Sequence, residues 1–126
     1  MYRVDIVNKG SSRFEVRSID SEFVIDTKGD GITPPDTLLA SLGSCIGVYL
    51  RKYAEGAKIP LPEFKISLEA ELTKESPCCF KKISVVIDMQ GAVIDERREK
   101  ALLDFVHNCP VHNTLKANPS VEIRLV

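Results

Sequence analysis

The sequence predicts one α+β domain over residues 1–126, with its elements in the order βββ-α-ββ-α-β. Three observations predict it. Apolar and polar residues alternate near the start and in the middle of the chain. A long stretch between residues 35 and 56 follows helical spacing instead. Strands come in runs, without the βαβ alternation that marks a parallel sheet.

In the first third, Tyr2, Val4 and Ile6 share one parity. Phe14 and Val16 follow the turn-like Asn8-Lys9-Gly10-Ser11-Ser12, and Phe23 and Ile25 follow Asp20-Ser21. Period two with polar partners predicts half-buried strands, and the short breaks predict a meander of hairpins. Pro35 or Asp36 then opens a helix, because proline is tolerated in a first turn and an acid suits the positive helix end. Leu38, Leu42, Cys45 and Tyr49 form one stripe, widened by Leu39, Ile46, Leu50 and Tyr53. Ala40, Ser41, Gly43, Ser44 and Gly47 cover much of the rest, so the helix is expected to be buried, with close approach of another backbone along its small residues. Gly56 should end it after roughly 30 Å.

The clearest strand follows: Phe64, Ile66, Leu68, Ala70 and Leu72 alternate with charged or polar neighbours, as in an antiparallel sheet covered on one face. Ser76-Pro77-Cys78-Cys79 is the turn, and Ile83, Val85 and Ile87 return. Asp95 is an N-cap candidate for a second helix carrying Leu102, Phe105 and Val106. Val121, Ile123 and Leu125 read as a last strand.

Composition narrows the function. Charged residues at 28% and apolar residues at 44% are globular values. A net charge of -1 leaves no basic excess, so nucleic acid is not an expected partner. No run approaches the roughly 18 apolar residues of a membrane span. Met1 to Val7 carries charges inside its apolar stretch, unlike a secretion signal, so a cytoplasmic location is expected. There the four cysteines should be reactive, metal-binding or simply reduced rather than bridged. Phosphate-loop, serine-elbow and His-Glu-x-x-His patterns are lacking, and no cofactor is expected.

The cysteines are the remaining chemistry. Cys45 sits on the apolar stripe, where a thiol packs as a small hydrophobe, too far along the helix to feel its N-terminal dipole. Cys109 precedes Pro110 and would cap a short helix through Val111, His112 and Leu115. Unpaired amides at such a cap stabilise a thiolate, so local physics ranks Cys109 as the better nucleophile. Cys109-Pro-Val-His112 also has the spacing of half a zinc site, whose other half would have to be Cys78 and Cys79, a poor chelating pair.

Two segments resemble the OsmC/Ohr family. Thr33-Pro-Pro-Asp-Thr-Leu-Leu-Ala-Ser-Leu-Gly-Ser-Cys45 is similar to the opening of that family's central helix, with Pro34 standing 11 residues before the first cysteine. Asn108-Cys-Pro-Val-His-Asn-Thr-Leu115 resembles its second cysteine motif, 64 residues on. The resemblance implies an intertwined homodimer, antiparallel sheets wrapped around two central helices, and active sites at the dimer interface. It also implies a thiol peroxidase of oxidative-stress defence. Cys45 would attack an organic hydroperoxide, Cys109 would resolve the sulfenic acid to a disulfide, and a dithiol reductant of lipoyl type would restore the pair. An arginine from an early strand activates the first cysteine in the family's peroxidases; Arg13 matches it, with Arg17 as fallback. Those peroxidases also carry a glutamate one residue after the helix-opening proline. Here Pro35 holds that position, and Asp36 would point about 100° further round the helix. The departure resembles the OsmC-like branch. It also motivates an alternative, a non-enzymatic binder of lipid-like or thiol small molecules. A zinc-stapled module on Cys78, Cys79, Cys109 and His112 is a third reading.

Overall fold

The computed structural model describes residues 1–126. They fall into two compact units, Met1–Ala40 and Ser41–Val126.

In the first unit, strands β1 (Asp5–Asn8), β2 (Arg13–Arg17) and β3 (Glu22–Asp26) form an antiparallel meander in sequence order. The predicted turn is held by Asn8, whose Nδ2 donates to the carbonyls of Ser11 and Arg13 at 2.8 and 3.0 Å. Gly10, at φ 102°, donates its N–H to Asn8 Oδ1. The expected half-burial is not met along β1. Tyr2 and Val4 lie outside the strand, and Val4 and Ile6 are more than half exposed. Val16 is the buried apolar residue of this unit.

Asp26 is buried beside it and fully satisfied. Its Oδ1 accepts from the Lys28 N–H and the Ser12 hydroxyl, both at 2.8 Å. These two bonds, the Lys28 amide first, hold its carboxyl below the usual range against the opposing effect of burial; the Arg13 charge and the Asp30 amide add to them. The loop that follows closes back on β3 through Asp26 N–H to Ile32 O at 3.1 Å. Gly31 is required there, because a Cβ would stand 3.0 Å from the Val24 carbonyl.

Helix α1 spans Pro34–Gly56, starting one residue earlier than expected. Thr33 caps it in a reciprocal arrangement: Asp36 N–H donates to Thr33 Oγ1, and that hydroxyl donates to Asp36 Oδ2 at 2.7 Å. The helix ends at Gly56 as expected, and the left-handed residue lies two positions beyond. Lys58 takes the left-handed conformation at φ 55°, and Ile59 N–H closes back on Ala54 O at 2.8 Å. Ile59 and Leu61 are thereby tucked into the core.

The second unit holds most of α1, the antiparallel pair β4 (Lys65–Leu72) and β5 (Phe80–Asp88), and helices α2 (Glu96–Val106) and α3 (Pro110–Ala117). Along β4, Ile66, Leu68 and Ala70 are half-buried while Lys65, Ser67, Glu69 and Glu71 are exposed, as the alternation requires. The dry face packs on a core of Leu42, Ile46, Leu50, Ala54, Leu102 and Val106. Each such leucine or isoleucine contributes about 1.5–3 kcal/mol. Within the chain, side chains of β4 and of the residue before it approach the glycines of α1. A Cβ on Gly43 would sit 2.5 Å from Leu68 Cδ1, and one on Gly47 3.4 Å from the Phe64 ring. Lys52 lies over the Tyr49 ring, 4.9 Å from its centroid.

Asp95 caps α2 as expected, accepting from Arg98 N–H at 2.8 Å. The predicted last strand does not form. Residues 118–126 have no regular structure, and Val121, Ile123 and Leu125 are nearly fully exposed. A strand needs an edge to pair with, and within the chain nothing hydrogen-bonds to residues 119–126. The chain is nevertheless α+β with two antiparallel sheets, in the order βββ-α-ββ-α-α.

Candidate functional site

The site is built where α1 meets the α2–α3 corner. Cys45 projects from α1 between Leu42 and Tyr49 and is half-buried. Its neighbours are core residues, and Tyr49 and Tyr53 both pack on the Phe105 ring of α2, at 5.9 and 5.7 Å.

Cys109 is placed by backbone bonds. After α2 ends at Val106, Asn108 N–H returns to Phe105 O at 3.1 Å and Cys109 N–H to Val106 O at 3.2 Å. Pro110 then starts α3, so Cys109 is its N-cap, as the sequence predicts. Its Sγ accepts the His112 N–H at 3.4 Å. The residue is fully buried in the core against which Cys45 packs, near enough for Cys45 to act on its thiol. Two cysteines 64 residues apart in sequence therefore share one core.

The electrostatics run against the local expectation for Cys109. Burial pushes the Cys109 thiol up, and Cys45 raises it further. The amides of His112 and Val111 act in the lowering direction, as a helix cap should, but they do not win. Desolvation of a thiolate with no exposure outweighs two amide dipoles. The fold therefore disfavours the Cys109 thiolate. One further imidazole, which the sequence did not single out, joins the surroundings: His107 stacks on His112 with centroids 5.5 Å apart. Helical spacing could not reveal it, because the chain turns between them.

The remaining candidates lie elsewhere. Arg13 opens β2 in the first unit, exposed and outside any ion pair, with Asp26 as its register partner. Arg17 is engaged by Glu15 at 3.0 Å and by Glu22 at 3.7 Å. Asp36 is committed to the α1 cap, and Pro35 offers no carboxylate. Cys78 and Cys79 are exposed in the β4–β5 turn. Cys78 Sγ donates to Thr73 O at 3.3 Å, and Cys79 N–H donates to Thr73 Oγ1 at 3.1 Å. They do not join Cys109 and His112: no three His, Cys, Asp or Glu side chains gather as a metal site would require.

Two thiols at one core, one at a helix cap and the other on a long central helix of an α+β fold, define a two-cysteine thiol protein. The OsmC-like protein family matches residues 27–124, and the chain belongs to it. Its fold is similar to that of an OsmC-like protein from Mycoplasma pneumoniae, with a TM-score of 0.79 at 20% identity over 92% of this chain and 87% of that one. A hypothetical protein from Aquifex aeolicus VF5 also gives 0.79 at 20% identity, covering 95% and 90%. The organic hydroperoxide resistance protein OhrB of Bacillus subtilis gives 0.61 at 21% identity, covering 94% and 92%. No curated protein matches the chain. No helix is long and apolar enough to cross a membrane.

Proposed function

We infer that the protein is a cytoplasmic thiol peroxidase that reduces organic hydroperoxides. The observation that carries this reading is that Cys45 on the central helix packs against the core that holds Cys109 at the α3 cap. The half-buried Cys45 is the member a peroxide can reach. Its thiolate attacks the terminal oxygen of ROOH; the O–O bond breaks, ROH leaves with a proton, and Cys45 becomes a sulfenic acid. The Cys109 sulfur then attacks the sulfenic sulfur, a disulfide forms and water leaves. A dithiol, of lipoyl type by family resemblance, reduces the disulfide and is itself oxidised.

A homodimer completes the site in this reading. Ser41, Ser44 and Val48 leave one face of α1 exposed. Ile6, Phe23 and the 121–125 alternation are apolar and exposed as well. A second copy would cover such surfaces. Arg13 is the activating cation in this reading, since it is free of ion pairs while Arg17 is held by two glutamates. The test is consumption of cumene hydroperoxide with dihydrolipoamide as reductant, beside Cys45→Ser. Turnover lost in the variant supports the reading; no turnover above free dithiol in the unmodified protein refutes it. The commitment of Asp36 to the helix cap favours a second reading, a small-molecule binder without turnover, which that null result would support.

A further inference from the structure

The β4–β5 turn holds two thiols that the peroxide reaction does not use. Cys78 and Cys79 are adjacent, exposed and unbridged. Thr73 organises them from the other side of the turn. Its N–H donates to the Cys79 carbonyl at 2.9 Å, which carries the ladder one step past the Leu72↔Phe80 pair. A regular antiparallel pair would return a second bond, from the Cys79 N–H to the Thr73 carbonyl. Here that N–H donates to Thr73 Oγ1 at 3.1 Å, and the Thr73 carbonyl accepts from Cys78 Sγ at 3.3 Å. The Thr73 hydroxyl is fixed in turn by the carbonyls of Glu75 and Pro77, at 3.2 and 3.3 Å. Both cysteines thus border Thr73, Cys78 through its sulfur and Cys79 through its backbone. Thr73 and Cys79 also line one depression of about 360 Å³, with Lys74, Pro77 and Lys81.

Reach and coordination number decide what such a pair can bond to. A disulfide draws its sulfurs to about 2.05 Å and spans Cα atoms about 4.4–6.8 Å apart, wider than the roughly 3.8 Å between neighbouring residues. A soft centre inserted between the sulfurs relaxes this demand. Bonds of about 2.3 Å, as in zinc thiolates, leave the sulfurs about 3.3–3.8 Å apart. Zinc itself takes four ligands in a structural site, and no further His, Cys, Asp or Glu side chain is placed to complete its shell. Trivalent arsenic with one organic substituent is thiophilic and pyramidal, and it needs only two sulfurs, because carbon already holds its third bond. The depression beside Cys79 has room for that substituent.

We propose that Cys78 and Cys79 form a dithiol site that captures monosubstituted trivalent arsenicals, separate from Cys45 and Cys109. The step is a condensation without redox change. Both As–O bonds of R–As(OH)2 and both S–H bonds break, two As–S bonds form, and two waters leave. Arsenic stays trivalent, and no oxidant or reductant enters. Both thiols are required. A single As–S bond exchanges with free thiols in solution, whereas the chelate presents its second sulfur at a high effective concentration. The site works whether or not the protein turns over peroxide.

The test is titration of the reduced full-length protein with phenylarsine oxide, which hydrates to such a diol. Intact mass reads the adduct, and peptide maps read which thiols it protects from alkylation. The expected result is an adduct that blocks Cys78 and Cys79, survives excess mercaptoethanol and is removed by dimercaptopropanol. Cys78→Ser and Cys79→Ser should each weaken it about a hundredfold or more, through loss of the chelate. Both positions are exposed, and serine at 78 keeps a donor for the Thr73 carbonyl, so circular dichroism and melting should not change. A resistant adduct only on Cys45 and Cys109, a single variant that keeps full affinity, or no mercaptoethanol-resistant adduct would overturn the proposal. Zinc(II) should bind the unmodified protein and the Cys78→Ser/Cys79→Ser variant alike; tighter zinc binding by the unmodified protein would assign the pair to a metal ion and overturn the arsenical reading.

Discussion

The molecule carries two pairs of cysteines, and they are opposites. Cys78 and Cys79 are neighbours in sequence, exposed, and bonded only to Thr73. Cys45 and Cys109 are far apart in sequence and packed at one core. Adjacent residues have Cα atoms about 3.8 Å apart, shorter than the usual 4.4–6.8 Å across a disulfide, so the neighbouring pair bridges only under strain. The distant pair has no such constraint. Proximity in sequence is the wrong guide to which thiols meet in the core; packing decides it.

The largest effect that would break this contrast is on turnover. Cys45→Ser should lower peroxide consumption at least about a thousandfold, as removal of a nucleophile does in steady-state assays. If a Cys78→Ser/Cys79→Ser variant did so instead, the assignment of roles would be reversed. Next, Cys109→Ser should keep the first peroxide reaction but lose dithiol-supported cycling, leaving a sulfenic acid on Cys45 that dimedone traps and mass spectrometry locates. Stoichiometric cumene hydroperoxide should close Cys45 to Cys109 in the unmodified protein, with Cys78 and Cys79 still open to alkylation.

Stability sharpens the same comparison. Cys109→Ala removes a buried side chain and a helix cap and should cost about 1–2 kcal/mol in chemical denaturation, whereas Cys78→Ser should stay within about 0.5 kcal/mol. The raised Cys109 pKa has a defined pH signature. The fold favours the neutral thiol, so its contribution is fully present below the ordinary thiol pKa and is lost as pH rises through the raised value. The unfolded chain ionises first and gains from doing so. Melting temperature should therefore fall more steeply from about pH 8 to 10 in the unmodified protein than in Cys109→Ala. Equal slopes would show that burial does not disfavour the Cys109 thiolate. The smallest effect is the Cys78→Ser/Cys79→Ser variant, whose cumene hydroperoxide turnover should stay within about twofold of the unmodified protein.

Much of this was legible from residues alone. Alternation located the strands of both sheets to within a few residues, because a half-covered sheet imposes period two on whatever sequence forms it. Asp95 and Cys109 declared themselves as caps, because capping is a local hydrogen bond. The terminal alternation at Val121, Ile123 and Leu125 misled for the complementary reason. Apolar patterning states what a segment could pair with, and pairing requires an edge that the single chain does not offer. Gly43 and Gly47 signalled a close approach, but only the structure shows that Leu68 and Phe64 make it.

By itself, then, the sequence determined the class of fold, most of the elements and the identity of the sulfurs, since these follow from periodicity and local capping. Tertiary structure alone decided that the Cys109 thiolate is disfavoured. A helix cap argues for an easily ionised Cys109, yet burial and the Cys45 sulfur argue more strongly against it. Desolvation depends on everything packed around a group, and no window of neighbouring residues contains that information.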